Sequence, residues 1–282
     1  IVDSMQERYG GGYVCKTNIT GRISNCGVED LRLESYYAHE EDEDHGWNAV
    51  RLFRAVNCWV SKVTARFFGY SCVTIEAESN FNTIQDCAQL DPMSITTGGR
   101  KYSFNIGDGL GNLFIRCYTR RGRHDYVTGS RVTGPNVWLD CLADITFSDT
   151  GPHHRWATGL LFDNVKGGEI RVRNRRDSGT GHGWAGAQTI FWRAYSPSHV
   201  IWVDSPKAAK NFGIGCYGAT RVGEGYWDAW NYKLEIHPRS LYLQQLEDRL
   251  GPEAVANITI PEQLEGDIWN MLHQWQGEGE LY

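Results

Sequence analysis

Apolar residues recur along the middle of the chain in short strands that each end on a small or polar residue. Thr83-Ile84-Gln85-Asp86-Cys87, Leu113-Phe114-Ile115-Arg116-Cys117, Val137-Trp138-Leu139-Asp140-Cys141, Leu160-Leu161-Phe162-Asp163-Asn164 and Thr189-Ile190-Phe191-Trp192-Arg193 share this form. Their last residues are separated by 30, 24, 23 and 29 positions. Ile23-Ser24-Asn25-Cys26 and Ala55-Val56-Asn57-Cys58 extend the series toward the N-terminus. Self-similarity at such a period predicts stacked units that bury their apolar face only against neighbours. Equivalent loops of successive units then lie side by side, so scattered loop residues can form one site.

The repeat predicts β structure. Its strands are short and rich in Val, Ile, Phe and Trp, and clusters of Gly, Asn, Asp, Ser and Pro separate them. A second alternating run follows the first, as in Val60-Ser61-Lys62-Val63-Thr64, Tyr126-Val127-Thr128, Ile145-Thr146-Phe147 and Ile170-Arg171-Val172-Arg173. A glycine precedes the next strand at Gly111, Gly134, Gly159 and Gly186. Two or three short strands per turn, bent by glycines, describe an all-β parallel β-helix. Near the C-terminus, Leu241 to Leu250 has apolar positions at helical spacing after Pro238-Arg239-Ser240, with Gly251 as a stop. The expected organisation is a β-helix with an N-terminal cap over residues 1–230. Residues 231–282 then form a helical and irregular extension packed on it as a short cap.

The pattern resembles the right-handed parallel β-helix superfamily of pectate-lyase-like proteins over about residues 20–220. Val137-Trp138-Leu139-Asp140 is similar to a strand common in pectate lyases, although Cys141 stands where those have histidine. Gly181-His182-Gly183 resembles the Gly-His-Gly of polygalacturonases, without that family's paired aspartates or later Arg-Ile-Lys. The resemblance implies a right-handed coil. For activity it implies a polysaccharide lyase, an inverting glycosidase, or a binding or tail-fibre protein.

Composition fits one elongated, turn-rich domain, with 32 glycines and 12% aromatic residues whose rings can stack on sugars. No apolar run approaches the ~20 residues that span a membrane. The opening Ile1-Val2-Asp3 reads as a mature or trimmed product. Among the eight cysteines, Cys58, Cys87, Cys117 and Cys141 hold one place in the repeat and are expected to stack inward. Cys15 and Cys26 are the better disulfide candidates. No Cys-x-x-Cys pair suggests zinc. Asn18-Ile19-Thr20 and Asn257-Ile258-Thr259 are glycosylation sequons in a eukaryotic host. The run His39-Glu40-Glu41-Asp42-Glu43-Asp44-His45 makes calcium possible, with a solvated loop as the plainer reading.

Charge is unevenly placed. The chain carries −6 overall, yet residues 100–176 hold 13 basic and 7 acidic side chains, a belt of +6 that leaves −12 elsewhere. Such a belt suits an anionic ligand. The acidic balance argues against nucleic acid, so an acidic polysaccharide is the expected partner.

The belt also holds the candidate chemistry. Arg100, Lys101 and Tyr102 precede Arg123, His124 and Asp125, then His153, His154, Arg155 and Trp156, then Arg175 and Arg176, then His182 and Trp184. His154-Arg155-Trp156-Ala157 and His182-Gly183-Trp184-Ala185 share a His-x-Trp-Ala pattern, which predicts that His154 and His182 are neighbours. The set suits β-elimination from a uronic-acid-containing glycan, where a base removes the proton α to a neutralised carboxylate. His154 or His182 would be base or acid, Arg155 with Arg123 the neutralisers, and His124 a third member. Arg100, Lys101, Tyr102, Arg123, Asp125, His153, Trp156, Trp184 and Arg176 would bind substrate. The expectation is a secreted lyase without a metal or other cofactor. An inverting glycosidase using Asp125 and Asp149 is the alternative, and a non-catalytic glycan-binding solenoid is a third reading.

Overall fold

The computed structural model describes residues 20–207, 209–228 and 236–282. It is all-β, built of long parallel sheets with a few short helices. One eight-stranded sheet takes Asn48–Phe53, Ser71–Glu76, Phe104–Ile106, Tyr126–Ser130, Asp149–His154, Glu169–Val172, Tyr195–Val203 and Tyr217–Val222, in spatial order equal to chain order. A twelve-stranded sheet contains the run Thr83–Gln85, Leu113–Ile115, Asn136–Leu139, Leu160–Asp163, Ile190–Trp192, Phe212–Ile214 and Tyr226–Asp228. A second run within it, Ala88–Leu90, Tyr118–Arg120 and Leu142–Asp144, joins the first through Trp59–Arg66, which pairs with both. These ladders are parallel, an arrangement compatible with a parallel β-helix.

Register explains the core. Ile84, Phe114, Trp138, Phe162 and Phe191 are aligned in consecutive strands and fully buried. The rings stack at 5.7 Å (Phe114–Trp138) and 4.6 Å (Trp138–Phe162) between centroids, and Phe162–Phe191 meet tilted at 5.0 Å. Each such burial contributes roughly 2–3 kcal/mol. A polar column runs beside it. Asn82, Asn112 and Asn136 are buried, and each Oδ1 accepts from the preceding unit. The Asn82 N–H and Nδ2 donate to Asn112 Oδ1 at 3.0 Å, and those of Asn112 donate to Asn136 Oδ1 at 3.0 and 3.1 Å.

Corners are made by left-handed residues. Lys62, Asp86, Arg116, Asp140, Asn164 and Arg193 have φ between 51° and 55°, and the residue after each turns inward. That inward column is Val63, Cys87, Cys117, Cys141, Val165 and Ala194, with Cys216 next, all fully buried. The expected cysteine series is therefore corrected. Cys58 is buried but aligns with Asn82, whose Oδ1 accepts its N–H at 2.9 Å, and Val63 holds the place of Cys87. Asn57-Cys58 imitates Asp86-Cys87 because each pair begins on a left-handed corner residue, with φ of 54° at Asn57 and 55° at Asp86. At the other end, Asn164 and Arg193 are corner residues rather than inward ones. Cys26 Sγ lies 3.6 Å from Cys58 Sγ as a free thiol. Its suggested partner Cys15, Asn18 of the first sequon and all but the last residue of the cap expected at residues 1–20 lie outside the described residues.

Helix α1 (Leu241–Leu250) has the expected bounds, with the Ser240 hydroxyl capping Leu243 N at 3.1 Å and Gly251 closing it. It is followed by α2 (Pro252–Ala256), α3 (Pro261–Glu265) and α4 (Ile268–Trp275). Leu243 packs with Ile115, Val137 and Leu139, and Ile268, Leu272 and Trp275 pack with Leu90, Tyr118 and Leu142. The helices thus lie against the side of the sheet. Beneath them the corner charges are paired. Arg116 holds Asp86 at 2.6 Å and donates to Gln263 Oε1 at 2.6 Å, while Arg239 holds Asp140 at 2.6 Å. Among the described residues, no helix is long and apolar enough to cross a membrane.

Asn112→Leu removes the shared acceptor of Asn82 and strands buried donors. It is expected to lower stability by about 2–4 kcal/mol, read as a drop in urea midpoint with an unchanged m-value.

Candidate active site

The eight-stranded sheet brings the histidines together. Tyr102 and His124 each lie two residues before the aligned pair Phe104 and Tyr126, so they neighbour one another across adjacent strands. His153 and His154 end the next strand. His182 comes from the following connection, where Arg155 N donates to His182 O at 3.1 Å, Trp156 N to Trp184 O at 2.8 Å and Ala157 N to Ala185 O at 3.1 Å. This ladder lays the two His-x-Trp-Ala segments side by side. Ring centroids are 4.9 Å apart for Tyr102–His124, 4.5 Å for His124–His153, 5.0 Å for His153–His182 and 4.9 Å for His154–His182. Gly181 and Gly183, with φ of 76° and 59°, let the chain reverse around His182. A Cβ at Gly179 would collide with the His182 imidazole.

Exposure divides the cluster. His124 and His153 are buried, whereas His154 and His182 are half-buried and reachable. Below them, Asp149 Oδ1 accepts from Arg171 Nη2 at 2.8 Å and Ser148 Oγ at 2.9 Å, and lies 3.0 Å from His124 Nδ1. Burial alone would raise the Asp149 pKa, but His124 and Arg171 outweigh it and hold the carboxyl well below its ordinary value. Because a carboxylate only accepts, His124 Nδ1 carries the proton. The next imidazole in the row, His153, has the Tyr102 hydroxyl 3.2 Å from Nε2. Arg175 Nη1 sits 2.6 Å from its Nδ1 and donates to its carbonyl at 2.8 Å.

The accessible imidazoles are held neutral. Burial, then the neighbouring His182, Arg155 and Arg175, pushes His154 down to about 4. Burial and the charges of Arg175 and Arg155 also lower His182, and burial with His124 and Arg175 lowers His153. A neutral histidine under guanidinium groups can take a proton while the cations hold an anion.

Other named residues fall in different places. Arg155 is half-buried at the cluster, its Nη2 donating to Thr180 O at 2.7 Å and Oγ1 at 2.6 Å. Arg123 is half-buried and bonds both the Gly98 carbonyl and Tyr102. Trp156 and Trp184 are half-buried on the paired connections, and Arg176 is exposed. Three residues are directed elsewhere. Arg100 is clamped by Glu43 at 2.6 and 2.8 Å. Lys101 has a left-handed φ of 57° and turns to Thr96, at 2.9 Å, and the Phe147 ring, away from Tyr102. Asp125 is fully buried, held by Thr119 at 2.9 Å and Ser103 at 3.1 Å, so it does not line the groove. Arg175 and the orienting pair Asp149–Arg171 were not assigned these roles from sequence. Their signal is the alternating Arg171-Val172-Arg173-Asn174-Arg175, legible only once its register against His153 is known.

Among the described residues, no three His, Cys, Asp or Glu side chains are placed to hold a metal ion. Within the acidic run, Asp42 accepts from Ala38 N at 2.8 Å and Asp44 N at 2.9 Å, and Glu43 is the Arg100 partner. No family profile matches the chain, and no curated protein or solved structure matches it significantly.

Burial raises Asp125 from 3.8 to about 7. The folded state therefore favours its protonated form, and the stability it contributes is lost as pH rises from near 4 through 7. Asp125→Asn is expected to remove that loss, narrowing the stability difference between pH 5 and pH 8 by about 2–4 kcal/mol. Denaturant titrations at the two pH values check this.

Proposed function

We propose that the chain is a right-handed parallel β-helix of the pectate-lyase-like kind whose histidine groove cleaves a uronic-acid-containing polysaccharide by β-elimination. The observation that carries this reading is the convergence of neutral His153, His154 and His182 with Arg155 and Arg175. Arg155 and Arg175 would face the uronate carboxylate and stabilise the enolate-like charge. His154 or His182 would take the proton from the carbon α to that carboxylate. The freed electron pair forms the carbon–carbon double bond, the glycosidic C–O bond at the β carbon breaks, and the leaving oxygen receives a proton from the imidazolium or its neighbour. His124 is too deeply buried to touch substrate and acts as a positioning residue between Asp149 and His153. A secreted location and an anionic glycan partner go with this reading.

Hydrolysis draws less support. An inverting pair must reach the scissile bond from both sides, yet Asp125 and Asp149 are both buried, and Asp149 is engaged by Arg171.

Digestion of a panel of acidic glycans tests the proposal. Ultraviolet absorbance of an unsaturated product supports elimination, and new reducing ends without absorbance transfer the assignment to hydrolysis. His154→Ala and His182→Ala are each expected to reduce turnover by ~10²–10⁴-fold with folding retained. Full activity in both would remove the site.

The base must be neutral. With His154 at about 4, kcat/KM should persist below the ordinary histidine value of 6.5 and fall only as pH drops through about 4. An acid limb at 6.5 in a pH–rate profile would contradict the assignment.

A further inference from the structure

Beside the histidines lies a cavity of about 510 Å³ whose lining includes Arg173, Arg175, Arg176 and Trp202. Arg171 is aligned with Trp202 in the neighbouring strand, which places Arg173 beside that ring. The Arg173 guanidinium lies 4.6 Å from the Trp202 centroid, and this cation–π contact fixes its direction. Arg175 spans the two places, because the same guanidinium rests on His153. Among the described residues, Arg173, Arg175 and Arg176 form no ion pair, while Arg171 in the same row holds Asp149 and Glu169. Asp177 and Asp204 also line the cavity without pairing with these arginines. The Arg173 guanidinium makes no hydrogen bond to the described residues, and only Nη1 of Arg175 is engaged, so donors remain for a ligand.

We infer that this cavity is a second anion subsite, which takes the carboxylate or sulfate ester of a sugar lying beyond the one held at His154 and His182. The inference rests on the proposed glycan reading and deepens it: the substrate carries acid groups on neighbouring sugars. Guanidinium forks match carboxylate and sulfate oxygens, and successive strands ~4.8 Å apart set the two places along one line. An isolated acidic sugar would fill only one of them.

Binding measurements separate this subsite from the cleavage chemistry. Calorimetry would use oligouronates of increasing length, carboxyl-reduced counterparts and a sulfated neutral glycan, with wild type, Arg173→Gln and Arg173→Lys. Wild type should bind an oligouronate or the sulfated glycan and lose most of that affinity for the carboxyl-reduced form. Which of the two binds identifies the acid group. Arg173→Gln should weaken binding of the longer anionic ligands about tenfold, with Arg173→Lys intermediate and both melting like wild type. Equal affinity in Arg173→Gln, or equal affinity of wild type for charged and reduced glycans, overturns the subsite. Binding of neither anion overturns it as well. Tight binding without cleavage, lost in Arg173→Gln, retains the subsite while rejecting elimination.

Discussion

In-register parallel pairing is the constraint on which the rest of this molecule depends. When each strand lies beside its equivalent, like side chains meet like at every position, so a position must suit its own copies. Stacked Phe114, Trp138, Phe162 and Phe191 satisfy this with dispersion and ring contacts. Asn82, Asn112 and Asn136 satisfy it because an amide is both donor and acceptor. A column of one charge would not be tolerated, and the left-handed corner meets the constraint by alternating sign through Lys62, Asp86, Arg116 and Asp140, with neutral Asn164 before Arg193.

That alternation ties the C-terminal helices to the sheet. Asp86, Arg116 and Asp140 are buried under the helices, and removing one partner would leave an uncompensated charge. Gln263 bridges the pairs, accepting from Arg116 at 2.6 Å and donating to Asp140 at 2.8 Å. Asp163, raised to about 7 by burial, receives the Ser240 hydroxyl at 2.7 Å where α1 begins. The Arg239–Asp140 pair and the Gln263 bridge thus add polar contacts to the apolar packing that holds the extension.

The groove uses the same pairing for another purpose. Tyr102, His124, His153 and Arg175 come from four successive units, yet they form one continuous row because their strands are adjacent. Burial, and then the close imidazoles and guanidiniums, depresses His153 and His154, and Asp149 buried at the base limits the accumulated positive charge. The arrangement is strained locally, with left-handed φ of 51° and 55° at Arg155 and Trp156 where the chain turns past the cluster.

The sequence by itself determined the β class, the repeat, helix α1 with its glycine stop, and the neighbourhood of His154 and His182. These follow from local signals: short apolar runs, turn residues, helical spacing, and a motif copied from one unit to the next. Only the tertiary structure decided register. A corner of the form Asn57-Cys58 and one of the form Asp86-Cys87 look alike along the chain, and pairing alone separates them. It also decided which polar residues face the groove. Lys101 and Tyr102 are adjacent in sequence and diverge in space, Asp125 disappears into the interior, and Arg175 arrives beside His153 from 22 residues away. Side-chain direction reverses with every step along a strand, so an uncertainty of one residue in register exchanges inside for outside.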